Sequence, residues 1–275
     1  MYPTIRMYAI TIDSYTLLYI TAIIVAAVLL RHALLKNNYH PYLYIKMIVV
    51  AVCTMFVGGK IYYILVNWDE FLPNKSTVIF GMSGFGWYGA FILGCFSIVL
   101  TLRIMKIPIL RTFDIIAPIF PISYAIGRIG CFLGGCCHGV PSKLPWAMSF
   151  PYGQYPDYVR VHPTQLYDSL ANLFIFLILW RLRKRKLQAG TKFGLYLICA
   201  GISRFIIEIY RLNPKVILQL TVPQIISILN VVIAMVILTS NKTLQSIINS
   251  KISIFRNKQL FNKRNSASGI EKNRL

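Results

Sequence analysis

Long apolar stretches alternate with short polar ones along almost the whole chain. Seven runs of mostly apolar residues can be marked, at roughly 14–35, 43–66, 86–104, 113–133, 163–181, 193–211 and 221–239. A helix needs about 20 such residues to cross a bilayer, where lipid leaves the backbone to satisfy its own hydrogen bonds. The pattern therefore predicts an all-α polytopic membrane protein, with seven transmembrane helices in one domain over 1–240. Pro118 and Pro121 fall inside the fourth run and predict a kink there. The first run begins near Ser14 and is longer than the roughly 7–15 residues of a signal-peptide core, so it is expected to stay as a helix. Beyond residue 240 the chain turns polar and basic, which predicts a poorly ordered tail over 241–275. No internal repeat is visible.

Composition supports this reading. Hydrophobic residues make up 56% of the chain and charged residues only 13%, against about 25% charged in soluble domains. The net charge of +21 does not point to nucleic acid, because the lysines and arginines lie between the apolar runs and in the tail. Their placement instead sets an orientation. The loops after the first, third and fifth runs, together with the tail, hold nineteen of the 29 basic residues, including the stretch Arg181-Leu-Arg183-Lys184-Arg185-Lys186. The other side holds six: Arg6, Lys75, Lys143, Arg160, Arg211 and Lys215. This bias predicts an outer N-terminus and a cytoplasmic C-terminus, and it makes 139–161 an outer loop that either covers the helix ends as a lid or simply packs on them.

With depth assigned, the intramembrane polar residues converge. Ser14 and Tyr15 open the first run, and Met82-Ser83-Gly84 with Trp87-Tyr88-Gly89 leads into the third. Gly127-Arg128-Ile129-Gly130 lies near the outer end of the fourth. The fifth starts at His162-Pro163-Thr164-Gln165-Leu166-Tyr167-Asp168, the sixth leaves through Arg204, Glu208 and Arg211, and the seventh opens with Thr221, Gln224 and Ser227. All of these are outer-half positions, whereas Asp114 stands near the inner end of the fourth run. A charge at mid-bilayer costs about 2.5–3.5 kcal/mol on insertion scales, so each needs a partner or a cavity. Arg204 and Glu208 share a helix face and either form a structural ion pair or serve a ligand. Arg128 has no opposite charge in its own helix, and two arginines in one leaflet suit a phosphate. His162 is either a helix-start residue or a proton carrier. The spacing Cys131-x4-Cys136-Cys137-His138 matches no standard zinc pattern, so no metal is expected and a disulfide or plain packing is. Cys53, Cys95 and Cys199 read as packing residues inside apolar runs.

Taken in order, Gly127-Arg128-Ile129-Gly130-x-Phe132, His162 to Asp168, Arg204-Phe205-x-x-Glu208-x-x-Arg211 and Leu220-Thr221-x-x-Gln224-x-x-Ser227 resemble the bacterial prolipoprotein diacylglyceryl transferases, from Tyr15 to about Ser227. The resemblance implies an enzyme of the bacterial inner membrane that moves a diacylglyceryl group from phosphatidylglycerol to the lipobox cysteine of a prolipoprotein. Glycerol phosphate would leave, and no cofactor would be needed. It places Arg128, Arg204, Glu208, Tyr88 and His162 in catalysis, and Tyr15, Gly127, Gln165, Tyr167, Asp168, Arg211 and Gln224 in substrate binding. Departures from the family pattern are Tyr88 where many members have His, Cys131 for Asn, Cys136 for an acid and Asp168 for Glu. The base that takes the thiol proton is therefore open between Tyr88, His162 and Glu208. A relative with another acceptor would share these motifs. A transporter would instead place polar residues at mid-membrane.

Overall fold

A computed structural model of the chain describes residues 4–7, 10–73, 75–80, 86–150, 155–156 and 158–240, with backbone alone for 4–7, 10–12, 70, 77, 80, 87, 88 and 217. The tail beyond 240 and Met82-Ser83-Gly84 lie outside the described residues. The long elements are α1 (Ser14–Lys36), α2 (Tyr42–Val66), α5 (Trp87–Ile104), α6 (Ile109–Ile116), α7 (Ile119–Leu133), α8 (Thr164–Leu182), α9 (Thr191–Glu208) and α10 (Val222–Thr239). Two short helices, α3 (Trp68–Phe71) and α4 (Lys75–Phe80), connect α2 to α5. Each of the seven apolar runs coincides with a helix, the fourth with the α6–α7 pair.

By length and composition α1, α2 and α10 can cross a membrane, and the α6–α7 pair makes a fourth span if counted as one. That pair bends by 43° just before Pro118, which has no amide hydrogen to continue the ladder. Helices α8 and α9 are 19 and 18 residues long but carry charges within their length. Ile23, Val28, Phe96, Phe174 and Val236 are all more than half exposed. Outward apolar faces of this extent on long helices are what a bilayer covers.

The helical framework also carries two short antiparallel hairpins that alternation did not signal. β1 (Thr4–Met7) pairs with β2 (Ile10–Asp13) ahead of α1, and β3 (Lys215–Ile217) with β4 (Leu220–Thr221) ahead of α10. Helices pack as neighbours in the pairs α2–α5, α9–α10, α1–α7, α7–α8 and α8–α9. Small residues let the backbones close, as membrane helices require. A Cβ on Gly58 of α2 would fall on the Gly89 carbonyl oxygen of α5, and one on Gly201 of α9 would come within 2.8 Å of the Ser227 carbonyl oxygen of α10. Thr54 and Ser97 hydroxyls add a 2.8 Å bond between α2 and α5. Leu34, Leu43, Met47, Leu102, Ile116 and Ile119 form the apolar core where α1, α2, α5, α6 and α7 meet.

Asp114 in α6 has a structural role. Its Oδ2 accepts from the Gly190 amide at 2.7 Å and its Oδ1 from the Phe193 amide at 2.8 Å. It caps the start of α9 from another helix, where Gly190 at φ 91° offers no side chain of its own. Gly58→Leu is expected to destabilise the detergent-solubilised protein by about 1–3 kcal/mol through overpacking, seen as a lower unfolding midpoint. Gly127→Ala should not lower it, since a Cβ there meets nothing within 4 Å.

Candidate active site

The ends of α7 and α9 and the starts of α8 and α10 meet in one place, and charged side chains hold them there. Asp168 sits one turn into α8 with 1% of its surface exposed. Its Oδ2 faces Arg128 Nε at 3.1 Å, Arg204 Nη1 at 3.3 Å and Arg211 Nη1 at 3.6 Å. Glu208, equally buried, places Oε2 at 2.6 Å from Arg204 Nη2, four residues back on α9, and at 3.9 Å from Arg211 Nε. Its Oε1 accepts from Asn213 and, at 3.0 Å, from the Thr221 hydroxyl. Among the described residues, three guanidiniums thus surround two carboxylates, leaving one positive charge over.

Local sequence explains how each group is presented. Tyr124 precedes Arg128 by one helical turn, so its hydroxyl accepts from Arg128 Nε at 2.8 Å and from Nη2, with the guanidinium 4.8 Å from the ring centroid. Thr221 and Gln224 form a capping box at the start of α10, with the Gln224 amide on Thr221 Oγ1 at 3.4 Å and the Thr221 amide on Gln224 Oε1 at 3.0 Å. Threonine can cap and still donate its hydroxyl proton to Glu208. Arg211 leaves α9 and pairs with Gly139 in an antiparallel bridge, which ties the start of the 139–161 loop to the arginine cluster.

The structure brings together Arg128, Asp168, Arg204, Glu208, Arg211 and Gln224. Arg128 and Arg204 are the more open cations, with 13% and 22% of their side chains exposed against 9% for Arg211. Gly127 borders open space. Tyr15, at the start of α1, lies against Gly130 of α7 and Gly134 just after it. His162 is set beside the cluster rather than in it. Its Nδ1 is 3.2 Å from the Tyr167 hydroxyl, its ring packs on Tyr210, and its amide reaches the Val140 carbonyl at 3.0 Å. Burial holds its imidazole below the usual histidine range, and so neutral at neutral pH. The Tyr167 hydroxyl also accepts from Trp146 Nε1 at 2.8 Å. The Tyr88 side chain lies outside the described residues.

Gln165 and Thr164, at the start of α8, bind the turn that follows α7. Gln165 Nε2 donates to the Cys136 carbonyl at 2.7 Å and Thr164 Oγ1 to the Cys137 carbonyl at 2.9 Å. They hold the segment after α7, where the sulfurs of Cys136 and Cys137 lie within 4.8 Å of one another and of Cys131 in the last turn of α7. All six cysteines are free thiols, so the three are not joined as the disulfide the sequence allowed. Tyr124, Asn213 and Trp146 were missed from sequence; only the four-residue step from Tyr124 to Arg128 could have flagged one of them.

Removing one partner of a buried ion pair strands the others, at about 3–5 kcal/mol. Asp168→Ala is therefore expected to lower the unfolding midpoint in detergent markedly, and more than Arg204→Ala, whose cation is partly exposed.

The model of the family described as prolipoprotein diacylglyceryl transferase matches residues 3–240. Among curated relatives, the phosphatidylglycerol–prolipoprotein diacylglyceryl transferase of Clostridium tetani is 32% identical over 231 residues, 83% of this chain and 92% of its own length. The enzymes of that name from Finegoldia magna and Trichormus variabilis are 34% and 27% identical, over 70% and 82% of this chain and 76% and 84% of their own. A match over nearly the whole chain, including every helix that builds the arginine cluster, places this protein in the prolipoprotein diacylglyceryl transferase family.

Proposed function

We propose that the protein transfers the diacylglyceryl group of phosphatidylglycerol to the lipobox cysteine thiol of a prolipoprotein. The observation that carries this reading is the cluster of Arg128, Arg204 and Arg211 around Asp168 and Glu208, with one positive charge in excess. A phosphodiester anion would neutralise that excess, and a guanidinium fork fits its oxygens. The acceptor thiolate sulfur attacks the diacylglyceryl methylene, a carbon–sulfur bond forms, and the carbon–oxygen bond to phosphate breaks with its electron pair on oxygen. Arg128 and Arg204, the more open pair, hold the phosphate and stabilise the charge growing on the departing glycerol phosphate. Asp168, Glu208 and Gln224 position the arginines. Glu208 is a poor base because both its oxygens already face donors, whereas neutral His162 can take the thiol proton.

The basic residues support an outer N-terminus, a cytoplasmic C-terminus and seven crossings of the bacterial inner membrane, with the site toward the outer leaflet. Lipid and signal peptide would then reach it laterally between helices.

Arg128→Ala and Arg204→Ala should each lower transfer about 10²–10³-fold without changing helix content. The readout is the mass gain of one diacylglyceryl group on a lipobox peptide incubated with phosphatidylglycerol, with a Cys→Ser peptide as control. Near-normal activity in both variants would overturn the phosphate clamp. For orientation, alkaline phosphatase fused at Lys143 should be active and fused at Arg185 inactive.

A further inference from the structure

The three clustered cysteines have no part in the reaction as described, and their geometry is specific. Helix α7 ends in a Schellman turn, with the Cys136 amide on the Cys131 carbonyl at 3.1 Å and the Gly135 amide on Phe132 at 3.2 Å. Gly135 takes the left-handed conformation this requires, at φ 72°. Cys137 is left-handed as well, at φ 62°, which non-glycine residues seldom adopt. These two reversals bring the side chains of adjacent Cys136 and Cys137 to the same place as Cys131 on the helix. Thr164 and Gln165 then pin the turn by its carbonyls.

We propose that Cys131, Cys136 and Cys137 bind a zinc ion as thiolates, with the fourth coordination position open to the acceptor thiol. Tetrahedral zinc with sulfur at about 2.3 Å puts its sulfurs about 3.8 Å apart, and the three already lie within 4.8 Å. Soft thiolates select this kind of metal. Among the described residues no histidine or carboxylate joins the three, and Cys136 and Cys137 are exposed. Three protein ligands with one open position is the arrangement of reactive rather than structural zinc.

The role of the open position rests on the proposed transfer. The lipobox thiol would take the open position and bind zinc as thiolate. Metal coordination acidifies the thiol enough for an acceptor as weak as neutral His162 to take its proton. The bound thiolate then attacks the methylene as above, and the thioether product, a poorer ligand, leaves.

The test uses the full chain purified in detergent under reducing conditions. Elemental analysis should find about one zinc per chain, as a single such site requires. Cobalt replacing zinc should give the near-ultraviolet thiolate-to-metal band and visible bands of a tetrahedral site. Cys131→Ser, Cys136→Ser and Cys137→Ser should each reduce metal content about tenfold or more. Cys199→Ser, outside the cluster, should retain it. Cys136→His keeps a ligand and should retain metal even if the serine variants fold poorly. Lipobox peptide, but not its Cys→Ser form, should shift the cobalt spectrum. Folded, reduced protein that takes up neither metal, or full transfer by metal-free protein, would overturn the site while leaving the transferase reading intact. A peptide-responsive cobalt spectrum in a chain that transfers nothing would confirm the site and overturn that reading.

Discussion

Asp168 is a carboxylate with almost no exposure, set between apolar helices and surrounded by three guanidiniums. None of these charges could stay buried alone. Arg128 comes from α7, Arg204 from α9, Arg211 from the strand bridge after α9, and each needs the α8 carboxylate to offset its desolvation. Glu208 repeats the arrangement one turn away and is held from α10 through Thr221. Four helix ends must therefore converge wherever these charges go, and the same convergence forms the candidate site. Because buried ion pairs contribute little net stability over apolar packing, their presence fits a chemical role. The excess positive charge gives that role its sign.

The remaining architecture serves this meeting point. Glycines in α2, α5 and α9 let neighbouring backbones touch at those crossings, while larger apolar side chains fill the core elsewhere. At the opposite end, Asp114 fixes the start of α9 and thereby the register that carries Arg204 and Glu208 to the site. Among the described residues, the loop over 139–161 is fastened rather than free. Gly139 bridges to Arg211, Val161 pairs with both Pro141 and Met148, and Trp146 donates to Tyr167. A segment that composition left as either a lid or a packing element is thus hydrogen-bonded to the residues it covers.

Several features could be read directly from the chain. Apolar runs of helical length, the break at Pro118, the step from Arg204 to Glu208 and the Thr221–Gln224 capping box all follow from local periodicity and local hydrogen bonding, which operate over a few residues. The meeting of Arg128, Asp168, Arg204 and Glu208 also followed in part, since the ends of α7 and α9 lie beside the start of α8. Asp114, in contrast, stood out in the sequence as an unexplained acid, and its partners are amides of a helix more than seventy residues away.

What the sequence by itself determined, then, was the set of helices and the charged residues each would have to bury. Which arginine meets which carboxylate was decided only by the tertiary structure: Arg204 and Asp168 are 36 residues apart, and no spacing rule reaches that far. The same holds for the three thiols. Their separation along the chain matches no ligand pattern, because two left-handed residues and two bonds from α8 bring them together. Periodicity tells which face a residue occupies, whereas contact between faces depends on how closely the backbones can approach, and here that was set by glycines and by the need to pair buried charge.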